Sequence, residues 1–416
     1  MTALDDRRYH GFGPRPDGTY ALSGPRIDPA NRPPEILALM PDVVAAAAEP
    51  FVGITTDGSP VPDLFAVQDE DFDPKPAVHA AENFLAALSA GQRKSARFDI
   101  DAKQWRLWTN AYPTWEPHGV YLDDVGQGQR DAALAVMEAS LSAKGFSDAR
   151  TAMRLNAALG ELIGQYPGTL KEYAYFFALY GTPSVTSPWG WQLWGHHLVL
   201  HCFVLGSQLV LTPAFVGAEP VTADRGTYQG LRLFDAEREA GLALRRSFTR
   251  RQERRAVLHR SLLSAELPAD LVNFVDGRHK GGAGRDNRVI PLEGLRAGNL
   301  SAGQQDLLLD LIGTYAGRAP AGPAAALMAR IRAHLDETHV AWIGGDADGD
   351  AFYYKVHSPV LLIEYDCHQG VFLDNEEPEP FHVHTIVRTP NGGDYGHDLL
   401  RRHYAQHHHH SEGTKP

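Results

Sequence analysis

Apolar residues recur at i, i+3, i+4 and i+7 over Ala77–Leu88, which predicts a helix with one buried face. The same spacing returns over Arg130–Leu141 and Ala149–Ile163, with Gly145 between them as a helix stop. Trp105 and Trp108 read as core residues. The character changes near Glu172. Tyr173–Tyr180 is aromatic and β-prone, and Gly181-Thr-Pro-Ser184 and Ser187-Pro-Trp-Gly190 punctuate a loop. Trp191–Leu205 reads as one alternating strand, and Gly206-Ser-Gln208 as a turn into Leu209–Pro213. Phe234–His259 predicts one long helix, and Gly277–Gly284 a glycine-rich loop leading to Val289-Ile-Pro291. Two more helices follow at Leu307–Tyr315 and Ala324–Leu335. Strands are expected at Val340–Ile343, Phe352–His357, Val360–Tyr365 and Phe381–Arg388, and a last helix near Asp398–Tyr404. No fixed-period repeat is visible.

This order predicts an α+β fold, a helical N-terminal part packed on a mixed, mainly antiparallel sheet with further helices. The chain divides into an irregular arm (1–34), a mainly helical part (35–168), an α+β part that carries the candidate site (169–404) and a flexible tail (405–416).

Composition adds exclusions. Of 416 residues, 43% are hydrophobic and 22% charged, which are globular values. The net charge of −12 argues against a nucleic-acid or anionic-membrane partner. The early apolar stretch Ile36–Phe51 is interrupted and too short to span a bilayer. The charged start, with no apolar run, predicts no secretory leader and hence a cytoplasmic protein. Cys202 and Cys367 are too few for a disulfide framework and read as reduced core thiols.

Histidine carries the chemistry. His196, His197 and His201 fall within six residues. On a continuous strand, His197 and His201 share one face and His196 takes the other. His382 and His384, two apart on a strand, stand roughly 6.6 Å apart along one face, so both can reach one ion. Glu364 interrupts an apolar run and is costly to bury unless paired or bound to a cation. His197, Glu364, His382 and His384 therefore have the composition of a three-histidine, one-carboxylate metal site, with His196 left as an acid/base group. The tight loop after the His-x-His strand adds Arg388, which could hold a substrate carboxylate, and Asp394 and Tyr395 as acid/base or supporting groups; an Arg388–Asp394 pair that only fixes the loop is the alternative. Asp346–Asp350 reads as a hairpin turn, not a calcium loop. Six arginines between 245 and 255 spread around their helix as a solvated surface. His407–His410 is set aside.

Several of these segments recur in order in a known family. Gly181-Thr-Pro-Ser184, Trp189-Gly-Trp-Gln-Leu-Trp-Gly-His-His-Leu198, Leu362-Ile-Glu-Tyr-Asp366, His382-Val-His-Thr-Ile-Val-Arg-Thr-Pro390 and Asp394-Tyr-Gly-His397 make the chain resemble the domain of unknown function 3500 family. The resemblance implies that Gly195-His196-His197, Glu364 and His382/His384 belong to one recurrent pattern, and it supplies no activity. The residues alone suggest a metal-dependent enzyme acting on a small organic substrate, anionic if Arg388 holds it, by hydrolase or lyase chemistry. Zinc, manganese or iron rank ahead of copper as the divalent metal. An iron or copper oxygenase and a metal-free binding or scaffold protein are the alternatives.

Overall fold

The computed structural model describes residues 34–111, 117–164, 169–273, 275–370, 372–373 and 377–411, so all but the last residue of the expected arm lies outside the described residues. After α1 (Pro34–Ala48) comes a first half built from α2 (Lys75–Ala87), α3 (Ala90–Ala96), β1 (Arg97–Phe98), β2 (Val120–Tyr121), α4 (Gln127–Ser140), α5 (Ala143–Ile163), β3 (Tyr175–Gly181), β4 (Trp189–Gly195), β5 (Leu198–Leu205), the short β6 (Gln208–Val210) and β7 (Ala214–Ala218). The second half is α6 (Asp235–Arg246), α7 (Arg250–Ala256), β8 (Val257–His259), β9 (Leu295–Arg296), α8 (Ala302–Ala316), α9 (Ala321–Ala333), β10 (His339–Gly344), β11 (Phe352–Ser358), β12 (Leu361–Cys367) and β13 (Val383–Arg388). Helix α10 (His397–Ser411) closes the chain and extends into the segment expected to be a tail.

The thirteen strands form one mixed, mostly antiparallel sheet, in the order β1-β3-β4-β5-β7-β13-β12-β11-β10-β8 with β2, β6 and β9 at the side. The α+β class is therefore what the structure has. The order reads the same from both ends. β1 and β8 each pair in parallel with the first long strand of their half, β3 and β10, and β2 and β9 each pair antiparallel with that same strand. The halves meet where β7 and β13 run antiparallel. The second half thus repeats the first about a pseudo-twofold axis.

Particular residues repeat as well. Gly181 and Gly344, 163 positions apart, both end the first long strand with positive φ. At the same offset, the cross-strand pair Gln192–His201 corresponds to Lys355–Glu364. In the preceding segment the offset is 175. Gly119 and Gly294 have φ of 94° and 92°, and a Cβ on either would strike the carbonyl oxygen of Phe177 or Val340. Gln129 bonds Gln92, and Gln304 bonds Gln252 in the same way. The different offsets explain why no fixed period shows in the sequence. The change at Glu172 marks a passage from helices to strands within the first half.

Three local expectations differ from the structure. Trp191–Leu205 is a hairpin, because the chain reverses at His196-His197, where His197 has φ of 61°. Phe234–His259 breaks after Arg246. Thr249 caps a new helix by accepting from Gln252 N while Gln252 Oε1 accepts from Thr249 N, and the chain then enters β8. Gly145 sits inside the first turn of α5, where a Cβ would lie 2.2 Å from the Arg318 carbonyl oxygen. It permits a close approach and stops nothing.

One face of the sheet, with Leu200, Val216, Ile363 and Val387, packs on the helices in the main apolar core. An apolar cavity of about 100 Å³ lies there, lined by Ala149, Leu200, Ala214, Ile312, Leu327 and Ile363 among others. The opposite face carries the polar side chains and is covered by the chain around Trp108 and by 276–286.

Candidate functional site

Residues opposite one another in neighbouring strands share a face. Gly217, His384 and Asp366 form one such row across β7, β13 and β12, and Phe215, Ile386 and Glu364 form the next. His382, two residues before His384 and just outside β13, falls on the same face. His197 reaches it from the β4–β5 turn. The turn is docked by two backbone bonds, His197 N to the Asn110 carbonyl at 2.9 Å and Gly217 N to the His197 carbonyl at 2.7 Å. The left-handed backbone at His197 is uncommon outside glycine, though histidine tolerates it better than most residues.

The result is a buried triad. The Nε2 atoms of His382 and His384 are 3.0 Å apart, those of His384 and His197 3.2 Å, and those of His382 and His197 3.4 Å. Nitrogens held at about 2.0–2.1 Å by a tetrahedral zinc stand roughly 3.3–3.4 Å from one another. One atom from each histidine can therefore ligate a single ion. The tautomer of His382 is set from outside. Its Nδ1 donates to the Gln369 carbonyl at 2.6 Å, because a carbonyl can only accept, and so its Nε2 lone pair faces the other two rings. The Glu219 carboxylate lies 3.7 Å from the same Nδ1 and accepts from Phe372 N and Leu373 N. A carboxylate behind a ligating imidazole orients it and raises its basicity. Burial pushes the His382 imidazole down to about 3 and holds His197 and His384 well below the usual value, with the neighbouring histidines adding to the effect. All three are neutral at ordinary pH, the form that binds metal.

His196 does not point away from His197. Its ring stacks on the His197 ring with centroids 3.9 Å apart. Its Nδ1 meets Asn156 Oδ1 at 2.7 Å, and Asn156 Nδ2 is committed to the carbonyls of Thr169 and Lys171. The amide oxygen accepts, so His196 carries its proton on Nδ1 and acts as a buttress.

Glu364 is not part of the triad. It lies in the row beside His384, and its oxygens accept from Lys280 N, Gly281 N at 2.8 Å and the Tyr353 hydroxyl at 2.6 Å. The cost of burying it is met by donors, with no ion needed. Asp366, directly opposite His384, is bound by the Arg278 guanidinium. Neither carboxylate is free to ligate.

Arg388, Asp394 and Tyr395 form a separate closed network. Arg388 donates to Asp394, to Asp286 and to the Gly281 carbonyl, and Asp286 also receives Arg106 and the Tyr395 hydroxyl. Burial would raise the Asp286 carboxyl, yet Arg388 and Arg106 hold it below the usual range. Arg388 is two side-chain steps along β13 from His384, roughly 13 Å, and is spent within the protein. It holds the 276–286 segment against the sheet rather than a substrate. His201, bonded to Gln192, Pro213 O and Trp105 O, is structural.

Two histidines near the triad escaped the sequence reading. The ring of His368 is 4.6 Å from that of His384 and 4.9 Å from that of His382. It follows Glu364 and Asp366 in alternate positions, which was a usable signal. His279, from the glycine-rich loop, lies 6.3 Å from His384, and nothing in its local sequence marks it.

Fold and site together define an α+β protein with a buried three-histidine cluster on the polar face of a duplicated sheet. The chain belongs to the family described as protein of unknown function (DUF3500), whose family model matches residues 72–397. No curated protein and no solved structure matches it.

Proposed function

We propose that the protein is a metal-dependent enzyme acting on a small organic substrate, with His197, His382 and His384 holding one divalent transition metal. The observation that carries this reading is the convergence of three Nε2 atoms with the lone pair of His382 turned inward. Three neutral imidazoles and no carboxylate suit zinc better than manganese, which prefers oxygen ligands, or than iron in a two-histidine, one-carboxylate set. Such a metal supplies a Lewis acid and an activated water, which is hydrolase or lyase chemistry. The protein's own part is to fix the rings. Gln369 and Glu219 orient His382, and the His196–Asn156 pair supports His197 by stacking.

The test is elemental analysis after purification without chelators, with His407–His410 changed to serine so that only the buried site is counted. About one equivalent of metal is expected, falling below about a tenth in His384→Ala. A metal-free wild type, or a His384→Ala protein that keeps its metal, would sink the proposal.

A further inference from the structure

The triad has two unlike flanks. On the His382 side, Gln369 and Glu219 meet the imidazole and Phe372 packs edge-on against His196. On the side of His197 and His384 stand Asn110, Asp276 and His279. Asn110 bonds His197 through its backbone carbonyl, and the His279 ring lies edge-on to Phe215 and tilted towards His384. All three are at least 95% buried.

Each of the three carries unpaired polar atoms. Among the described residues, both side-chain atoms of Asn110, Asp276 Oδ1, both ring nitrogens of His279 and His384 Nδ1 have no hydrogen-bond partner. Buried polar groups are almost always satisfied, so six such atoms on His384 and this flank of the triad mark a place that receives a polar molecule. Burial raises the Asp276 carboxyl above its usual range, and His279, Arg285 and Asn110 only partly offset it. A cavity of about 20 Å³, room for one water, ends on Asp276 between Thr109 and Arg285, so the wall also borders a solvent-sized space.

The chemistry of this wall is specific. Asp276 Oδ1 and Asn110 Oδ1 accept, Asn110 Nδ2 donates, and a neutral His279 does one of each. Three of the cations close by are spent: Arg278 on Asp366, Lys280 on Asp270 and Glu293, and Arg388 on Asp286 and Asp394. Arg285 lines the small cavity with Asp276 and is the cation that acts on its carboxyl.

We propose that Asn110, Asp276 and His279 form the substrate-binding wall of the triad, and that the substrate presents a hydroxyl or N–H group beside the atom it gives to the metal. This rests on the metal reading above. An acid held by Arg388 is replaced by a donor-bearing molecule held by Asp276 and Asn110.

The two readings separate in cobalt(II)-loaded protein followed by its visible spectrum. Azide probes the metal alone, and acetohydroxamate offers the metal a chelate together with N–H and O–H groups. Asp276→Asn, His279→Phe and Asn110→Ser should each weaken acetohydroxamate about tenfold or more, while cobalt content and azide affinity stay within about twofold of wild type. Three independent variants guard against one that fails to fold. Unchanged acetohydroxamate binding, or an equal loss for azide, overturns the wall. A wild type that binds no cobalt overturns the metal reading on which it stands.

Discussion

Gly217 serves the site by what it lacks. Its N–H holds the His197 carbonyl, it lies opposite His384, and a Cβ there would sit 3.1 Å from His384 Cδ2 and from the Val383 carbonyl oxygen. Gly217→Val should therefore displace the His384 ring and lower metal content several-fold while the fold persists. Elemental analysis beside circular dichroism checks it, and full metal content in a folded variant would refute the packing argument. At this scale the sequence revealed the three histidines that converge, because His-x-His spacing and a Gly-His-His cluster are local signals. It grouped Glu364 with them, which the structure does not, because burial of a carboxylate does not say what satisfies it. The donors to Glu364 come from Lys280 and Gly281, more than eighty positions away, and no local pattern announces them.

Among the elements, the β4–β5 hairpin decides the site. Read as one strand, it would put His196 and His197 on opposite faces. As a hairpin, it stacks their rings and carries His197 to the sheet. The aromatic and aliphatic residues on both sides of the turn continue one apolar run, and Gly195 alone was too weak a stop to reveal the reversal. The break before α7 was more legible in principle, since Thr249-x-x-Gln252 is a capping box. Thr249→Ala should cost about 1 kcal/mol of stability and leave metal binding alone. Denaturant unfolding measures it, and a loss below about 0.3 kcal/mol would mean that the cap is redundant.

For the whole molecule, burial of imidazoles sets the response to acid. Burial pushes His201 and His357 down to about 3, far below their value in the unfolded chain. Below about pH 6.5 the unfolded state takes up protons that the folded state refuses, so this stability is complete above that value and is lost as pH falls towards about 3. The thermal midpoint should drop between about pH 7 and pH 5, before most carboxylates titrate. Calorimetry showing a flat midpoint over that range would count against neutral buried histidines. The fold class was legible from periodicity, but the duplication was not. Its helical and strand segments are offset by 175 and 163 positions, and few identities survive, such as Gly128-Gln129 with Gly303-Gln304 and Ala178 with Ala341.

The duplication leaves the site unequal. At the offset that relates Gly195 to Ser358, the partner of His197 is Val360, so the mirror position holds an aliphatic side chain. His197 comes from one half and His382 and His384 from the other, and they meet only because β7 lies against β13. If the chain were severed in the exposed stretch around Thr227–Gly230, neither fragment would own all three histidines, and each would present a bare sheet edge prone to sticking. On the proposed metal reading, recovery of metal binding on mixing the fragments would then report that the halves had found each other in the right register.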